Sequence, residues 1–209
     1  MTKPGPNGFP RYSLREIREK VERFRSEHWP QGTVPVDIEM ILERAGYVLE
    51  PIAGMKEECD LVACIAPDAR TISVDQQTML DQKQYFFYRS SLAHELGHAV
   101  LHRGFLEWQR KQGIRTIQEW AAFVHKCHDD PVFGWFDSHA WEFAGGLLVP
   151  RARLEEEVQK AKARIPKRYL KQVQRLPSDV MHDYIASAIY RLFEVNVPLI
   201  KSRLRKERL

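Results

Sequence analysis

Cysteine is scarce in this sequence. Its 209 residues include 3 cysteines, Cys59, Cys64 and Cys127, an odd number with no C-x-x-C pair. That argues against a disulfide framework and fits a reducing compartment. No run of about 18 apolar residues occurs, so no membrane span is expected. The opening MTKPGPNGFPRYS has no apolar core, so a secretory signal is not expected either. A cytoplasmic protein is the combined expectation. Charge of one sign is also in short supply. Lys and Arg number 32 against 28 Asp and Glu, for a net charge of +4. Much of that excess sits in the tail KSRLRKERL, which reads as a solvated helix end rather than a nucleic-acid patch. There are no internal repeats.

Apolar residues, at 44% against 29% charged, are sufficient for one globular domain with a core. Residues 1–12 are rich in Pro and Gly and are expected to be loose. Residues 13–150 are expected to form the main domain and 151–209 a helical appendage packed on it. Ser13 and Glu16 form a capping box for a helix to about His28, with Leu14, Ile17, Val21 and Phe24 on its apolar face. Pro30 and Gly32 break the chain. A second helix follows Pro35, with Ile38, Ile41, Leu42 and Ala45 inward and Gly46 as its stop. YVLEPI (47–52) reads as a strand. DLVACIA (60–66) and TISVD (71–75) read as a hairpin around PDAR. Thr116 and Glu119 form a second capping box, for a helix carrying Ile117, Trp120, Ala121 and Val124. HDDPVFGWF (128–136) reads as a loop, and DSHAWEFAGGLLVP (137–150) as a helix ended by Gly145, Gly146 and Pro150. RARLEEEVQKAKARI is a charged surface helix. Pro177 and Ser178 open a long helix to about Glu194, and Asn196 caps a short last one. These two helices have a helix-turn-helix outline, but a packing appendage accounts for them better. Helices, a small sheet and then helices make an α+β protein.

The chemistry concentrates in SLAHELGHAVLH, residues 91–102. His94, Glu95 and His98 form H-E-x-x-H, for which chance gives about 0.03 matches at this His and Glu content. Residues four apart share a helix face, so His94 and His98 can point two imidazole nitrogens at one ion. Glu95, one residue round the helix, reaches a water on that ion without ligating it. Zinc proteases need this division of labour. The bland reading is two histidines on an ordinary amphipathic helix. Leu92, Leu96, Ala99 and Val100 supply the apolar stripe; Ser90 or Ser91 is a candidate N-cap, QYFFYR before them is an alternative first turn, and Gly104 is the stop. His102 lies in the same row. Three successive turns of a straight helix cannot surround one ion, so His102 reads as a supporting or surface residue.

A catalytic zinc takes three protein ligands and leaves a place for water. On the 137–150 helix, Asp137, Ala140, Trp141, Ala144 and Leu148 share an apolar face. A carboxylate at its N-terminal end would point inward. Asp137 is equally a favoured N-cap where that helix should begin. Glu142 falls on a flank expected to be wet, and His139 could support a ligand. HKCHDD (125–130) bunches His125, Cys127 and His128 with two Asp; a second metal site is the sharp reading, but the cluster lacks zinc-finger spacing and falls in an expected loop. Phe133, Trp135, Phe136 and Trp141 are core, or the wall of a substrate groove.

Three blocks resemble the ImmA/IrrE family of metallo-endopeptidases: the strand TISVD, then YRSSLAHELGHAVLHR, then WFDSHAWEFAGGLLVPR. With VPVDIEMILERAG the likeness covers most of residues 34–151, and more weakly VMHDYIASAIYRLFEVNVPLIKSRL. The family's third block is typically Glu-x-x-Ala, then Phe-Ala and a Leu-Leu-x-Pro-like ending. Aligning Phe143–Ala144 and Leu147–Pro150 puts Asp137 on the family's ligand Glu. The resemblance therefore implies a zincin-like fold, a small antiparallel or mixed sheet packed on the motif helix. It implies Zn2+ on His94, His98 and Asp137, with Glu95 as general base. Asp is one methylene shorter than Glu, so its helix must approach the metal more closely or bind it less well. Glu142 is the fallback ligand. Relatives are cytoplasmic regulators that cut helix-turn-helix repressors in stress responses or mobile elements. The rival is a zincin-like binding module that holds a partner without catalysis. If TISVD is a sheet edge, an extended peptide could add to it as a strand.

Overall fold

Side-chain caps set the first boundaries. In the computed structural model, which describes residues 3–4, 9–66, 68–111, 113, 116–129, 134–166, 168 and 177–209, helix α1 (Leu14–His28) opens on the Ser13–Glu16 box with both halves made. It buries Ile17 and Val21 but leaves Leu14 exposed in its first turn. Helix α2 (Ile38–Arg44) starts at Asp37, whose carboxylate accepts the Met40 N–H at 3.0 Å. It ends in a Schellman turn: Tyr47 N–H bonds the Leu42 carbonyl and Gly46 N–H that of Glu43. Gly46 sits there at φ +76°, a conformation side-chain-bearing residues rarely adopt.

The sheet is mixed. Strand β1 (Lys3–Pro4) and strand β2 (Pro10–Arg11) form a separate antiparallel pair. Beside it Phe9 packs edge-on to Phe105, so the described part of residues 1–12 is tied down rather than loose. The main sheet contains β3 (Val48–Ile52), β4 (Ala63–Ile65) and β5 (Thr71–Asp75) in the order β3-β5-β4. The hairpin forms, with Ala63 opposite Val74, while β3 runs parallel to β5 with Val48 opposite Thr71. A parallel pair needs a crossover, and the segment containing helix α3 (Met55–Cys59) lies between β3 and β4. TISVD is thus the central strand. Both its edges are taken, which overturns the expectation that a peptide could add there. The free edge of the hairpin is β4.

After β5, Asp75 caps helix α4 (Gln76–Leu80), accepting the Thr78 N–H and hydroxyl, each at 2.8 Å. Burial pushes this carboxyl up, but these bonds and the Lys56 N–H pull it below its ordinary value. Helix α5 (Tyr85–Leu101) carries the motif and begins earlier than its expected serine caps. Ser90 and Ser91 lie within it and donate their hydroxyls to the Phe86 and Phe87 carbonyls. Nor does Gly104 stop it. The chain turns at His102, whose carbonyl accepts from Phe105 and Leu106, and helix α6 (Arg103–Arg110) follows at once with Gly104 inside. Burial of Phe105 and Leu106 favours that turn.

The Thr116–Glu119 box forms at helix α7 (Ile117–Asp129), which buries Ala121. The side chains of Ile117, Trp120 and Val124, expected inward with it, lie outside the described ones. Of the stretch expected as a loop, every described residue is helical. His128 and Asp129 belong to α7, and helix α8 (Gly134–Leu148) begins before Asp137; residues 130–133 lie outside the described set. Helix α9 (Arg151–Ala163), helix α10 (Ser178–Phe193) and helix α11 (Val197–Glu207) complete the chain. Asn196 stands at the start of α11 without a side-chain cap bond. One cluster of buried apolar side chains runs from Ile17 to Leu204, so the helices beyond residue 150 share the core of those before it. Among the described residues no helix is long and apolar enough to cross a membrane.

Helix α5 lies between α8 and the β4–β5 hairpin. Gly97 sets the closeness of the two helices. A Cβ there would lie 2.9 Å from the Ala140 carbonyl oxygen and 3.0 Å from its Cα. Both are backbone atoms and cannot swing aside. Gly97→Ala is therefore expected to cost about 1–3 kcal/mol by overpacking, read as a lowered urea midpoint with an unchanged slope.

Candidate metal centre

Helical spacing delivers the two histidines, and α8 delivers the carboxylate. His94 Nε2 and His98 Nε2 are 3.1 Å apart, and Asp137 Oδ1 is 3.3 Å from His94 Nε2. A ligand atom from each of the three lies within 4.8 Å of the others, so the group could hold a metal ion. No second such group of His, Cys, Asp or Glu exists among the described residues. In a tetrahedral site with bonds of about 2.0–2.1 Å, neighbouring donor atoms sit about 3.3 Å apart. The observed spacings fit that geometry. Burial, and then neighbouring His94, press the His98 pKa down to about 3. Its imidazole is neutral, as ligation requires.

Asp137 sits in the first turn of α8, not at its cap. Its short side chain still reaches the group. Ala140, one turn further on, is the residue whose backbone touches Gly97, the neighbour of His98. The close crossing brings α8 near enough for this short carboxylate to reach the two histidines.

Glu142, the alternative ligand, points elsewhere. It is 2% exposed, not wet. Helices α1 and α11 cover that flank, and their cations make burial of a carboxylate tolerable. Arg203 Nη1 lies 3.1 Å and Lys206 Nζ 2.8 Å from its oxygens.

Glu95 stands beside the group without joining it, its Oε1 4.0 Å from His94 Nε2. Its Oε2 accepts the Ile65 N–H at 2.8 Å. Burial pushes its pKa up to about 7, against the pull of His94 and of that N–H. A carboxylate near neutrality suits a group that must take and return a proton. Nothing in the sequence marks Ile65 for this task, because the donor is main chain.

His102 is buried and faces His98. His139 is buried too and approaches His102. His125 bonds the Cys59 carbonyl at 2.8 Å, tying α7 to α3. The side chains of Cys127, His128, Asp129 and Asp130 lie outside the described ones.

A cleft of about 390 Å³ opens over the three donors. On one side runs β4. On the other stand Phe105, Leu106, Phe136 and Trp141, so two of the four aromatics expected as core or groove wall line it. Trp135 stacks on Phe136 at 3.8 Å, while Phe133 is outside the described residues. Asp75 N–H bonds the Val62 carbonyl, and Ala66 N–H that of Thr71. Antiparallel alternation then leaves Ala63 and Ile65 facing outward from the hairpin. A search of protein-family models finds no match to this chain, and a search of curated proteins finds none either.

Proposed function

We propose that the chain is a zinc-dependent endopeptidase with a zincin-like fold, of the ImmA/IrrE kind. The observation that carries this is the three-donor group of His94, His98 and Asp137 with Glu95 beside it. Two imidazoles and one carboxylate suit zinc. The ion, when bound, supplies Lewis acidity to the scissile carbonyl and makes water a nucleophile at neutral pH. Glu95 accepts the proton of the attacking water and passes it to the leaving amine. The Ile65 N–H holds one Glu95 oxygen, which leaves the other turned toward the donors. An extended peptide lies in the cleft and pairs with the outward groups of Ala63 and the Ile65 carbonyl, the Ile65 N–H being held by Glu95. Its apolar side chains meet the Phe105, Phe136 and Trp141 wall. The substrate is a helix-turn-helix repressor, in a stress or mobile-element circuit; the sequence resemblance supports that choice.

Metal content decides first. Protein purified without chelator is expected to carry one zinc per chain by mass spectrometry. Chelation should abolish cleavage of a co-expressed repressor in extracts, and added zinc should restore it. Folded protein that stays free of metal and still relieves repression would replace the peptidase with a binding module.

A further inference from the structure

The spacing that disqualifies His102 as a ligand places it behind one. His98 Nδ1 and His102 Nδ1 are 3.0 Å apart. Beyond, His102 Nε2 lies 3.5 Å from His139 Nδ1, and the planes of these two imidazoles are 20° apart with centroids at 5.7 Å, so they meet edge to edge. His94 differs: its buried Nδ1 has no hydrogen-bond partner among the described residues. The two ligand histidines are therefore supported differently.

Each link in such a row needs one donor and one acceptor, so the protons can be ordered in only two directions. If His98 gives its Nε2 lone pair to a metal, its proton must sit on Nδ1. His102 must then accept at Nδ1 and carry its own proton on Nε2, directed at His139. We infer that His102 is a positioning residue for His98, and that His102 and His139 form a buried imidazole row locking His98 in the tautomer that ligates through Nε2. This rests on the metal-centre reading above. Ligand histidines generally have the other ring nitrogen held by a carboxylate, a carbonyl or water; here an imidazole fills that place.

The test compares His102→Leu, which keeps bulk and removes the acceptor, with His102→Asn, which keeps an oxygen near the Nδ1 position. Zinc and cobalt affinities are measured by chelator competition on the full chain, and melting temperatures in EDTA. The Leu variant is expected to bind zinc about 10–100-fold more weakly. The Asn variant should retain most of the affinity, and both should melt near wild type without metal. Wild-type affinity in the Leu variant, or equal losses in both, overturns the inference. Wild-type protein that binds neither ion overturns the metal centre and this inference with it. Nitrogen-15 NMR of histidine-labelled, zinc-loaded wild type needs no variant to fold. It should show the His98 proton on Nδ1 and the His102 proton on Nε2; the reverse order overturns the row.

Discussion

Glu95→Gln is expected to lower peptide cleavage by about 10²–10⁴-fold while leaving metal content and folding intact. Gln has the shape of Glu and can accept the Ile65 N–H through its amide oxygen, so the local geometry survives. It cannot take a proton. The substitution also removes a buried carboxylate whose pKa stands at about 7 instead of 4.5. A carboxyl raised in this way favours the folded state most at low pH. That contribution fades as pH rises from about 4.5 to about 7. Metal-free wild type should lose stability across that window relative to the Gln variant, which does not titrate. Two measurements check the prediction: turnover of a repressor substrate, and chemical unfolding of the apo forms at pH 4.5 and 7.5. A Gln variant that still relieves repression would make partner binding the function.

The site was legible in the sequence wherever its parts are local. H-E-x-x-H, the Ser13–Glu16 and Thr116–Glu119 boxes and the 60–75 hairpin all depend on residues within a turn or two of each other. Their spacing is their geometry. The exceptions are tertiary. The parallel pairing of β3 with β5 places TISVD inside the sheet, and no local signal reveals a partner more than twenty residues back. The start of α5 is open in sequence between the serines and QYFFYR because YFFYR offers no cap; burial of Tyr88 and Arg89 holds that earlier turn in the helix. Asp137 read equally well as a cap and as a ligand. What separates the two is residues 134–136, which extend α8 backward by one turn. Gly97, inside the motif, matters through Ala140 on another helix. A short carboxylate in the three-donor group and a glycine at the crossing are thus one arrangement, visible only when both helices are seen together.

Glu142→Ala is expected to destabilise the fold by about 3–5 kcal/mol, the range for removing one partner of a buried ion pair. For a chain of this size that is a melting temperature lower by roughly 6–20 °C. Glu142 and Glu207 are the buried acids, among the described residues, of a cluster that also holds Arg18, Arg203 and Lys206, with Arg151 at its rim on Glu207. Arg203 is the critical member, nearly as buried as the acids and shared between them at 3.1 and 2.8 Å. Its stem also packs on α8, where a Cβ at Gly145 would come within 2.8 Å of its Cδ. Removing Glu142 leaves the guanidinium with Glu207 alone, and the partly exposed Arg18 and Lys206 cannot compensate because they are cations too. The basic tail that reads in sequence as a solvated helix end is in fact the device that docks α11 on α8. Replacing Glu142 and Arg203 together by apolar residues should recover only part of the loss, since it removes the half-paired guanidinium but leaves the buried Glu207 to Arg18 and Arg151. Throughout this series zinc stoichiometry should hold at one per chain, because Glu142 faces α11 and Asp137 faces the donors. A Glu142→Ala protein that keeps its melting temperature but loses its zinc would reverse the two assignments.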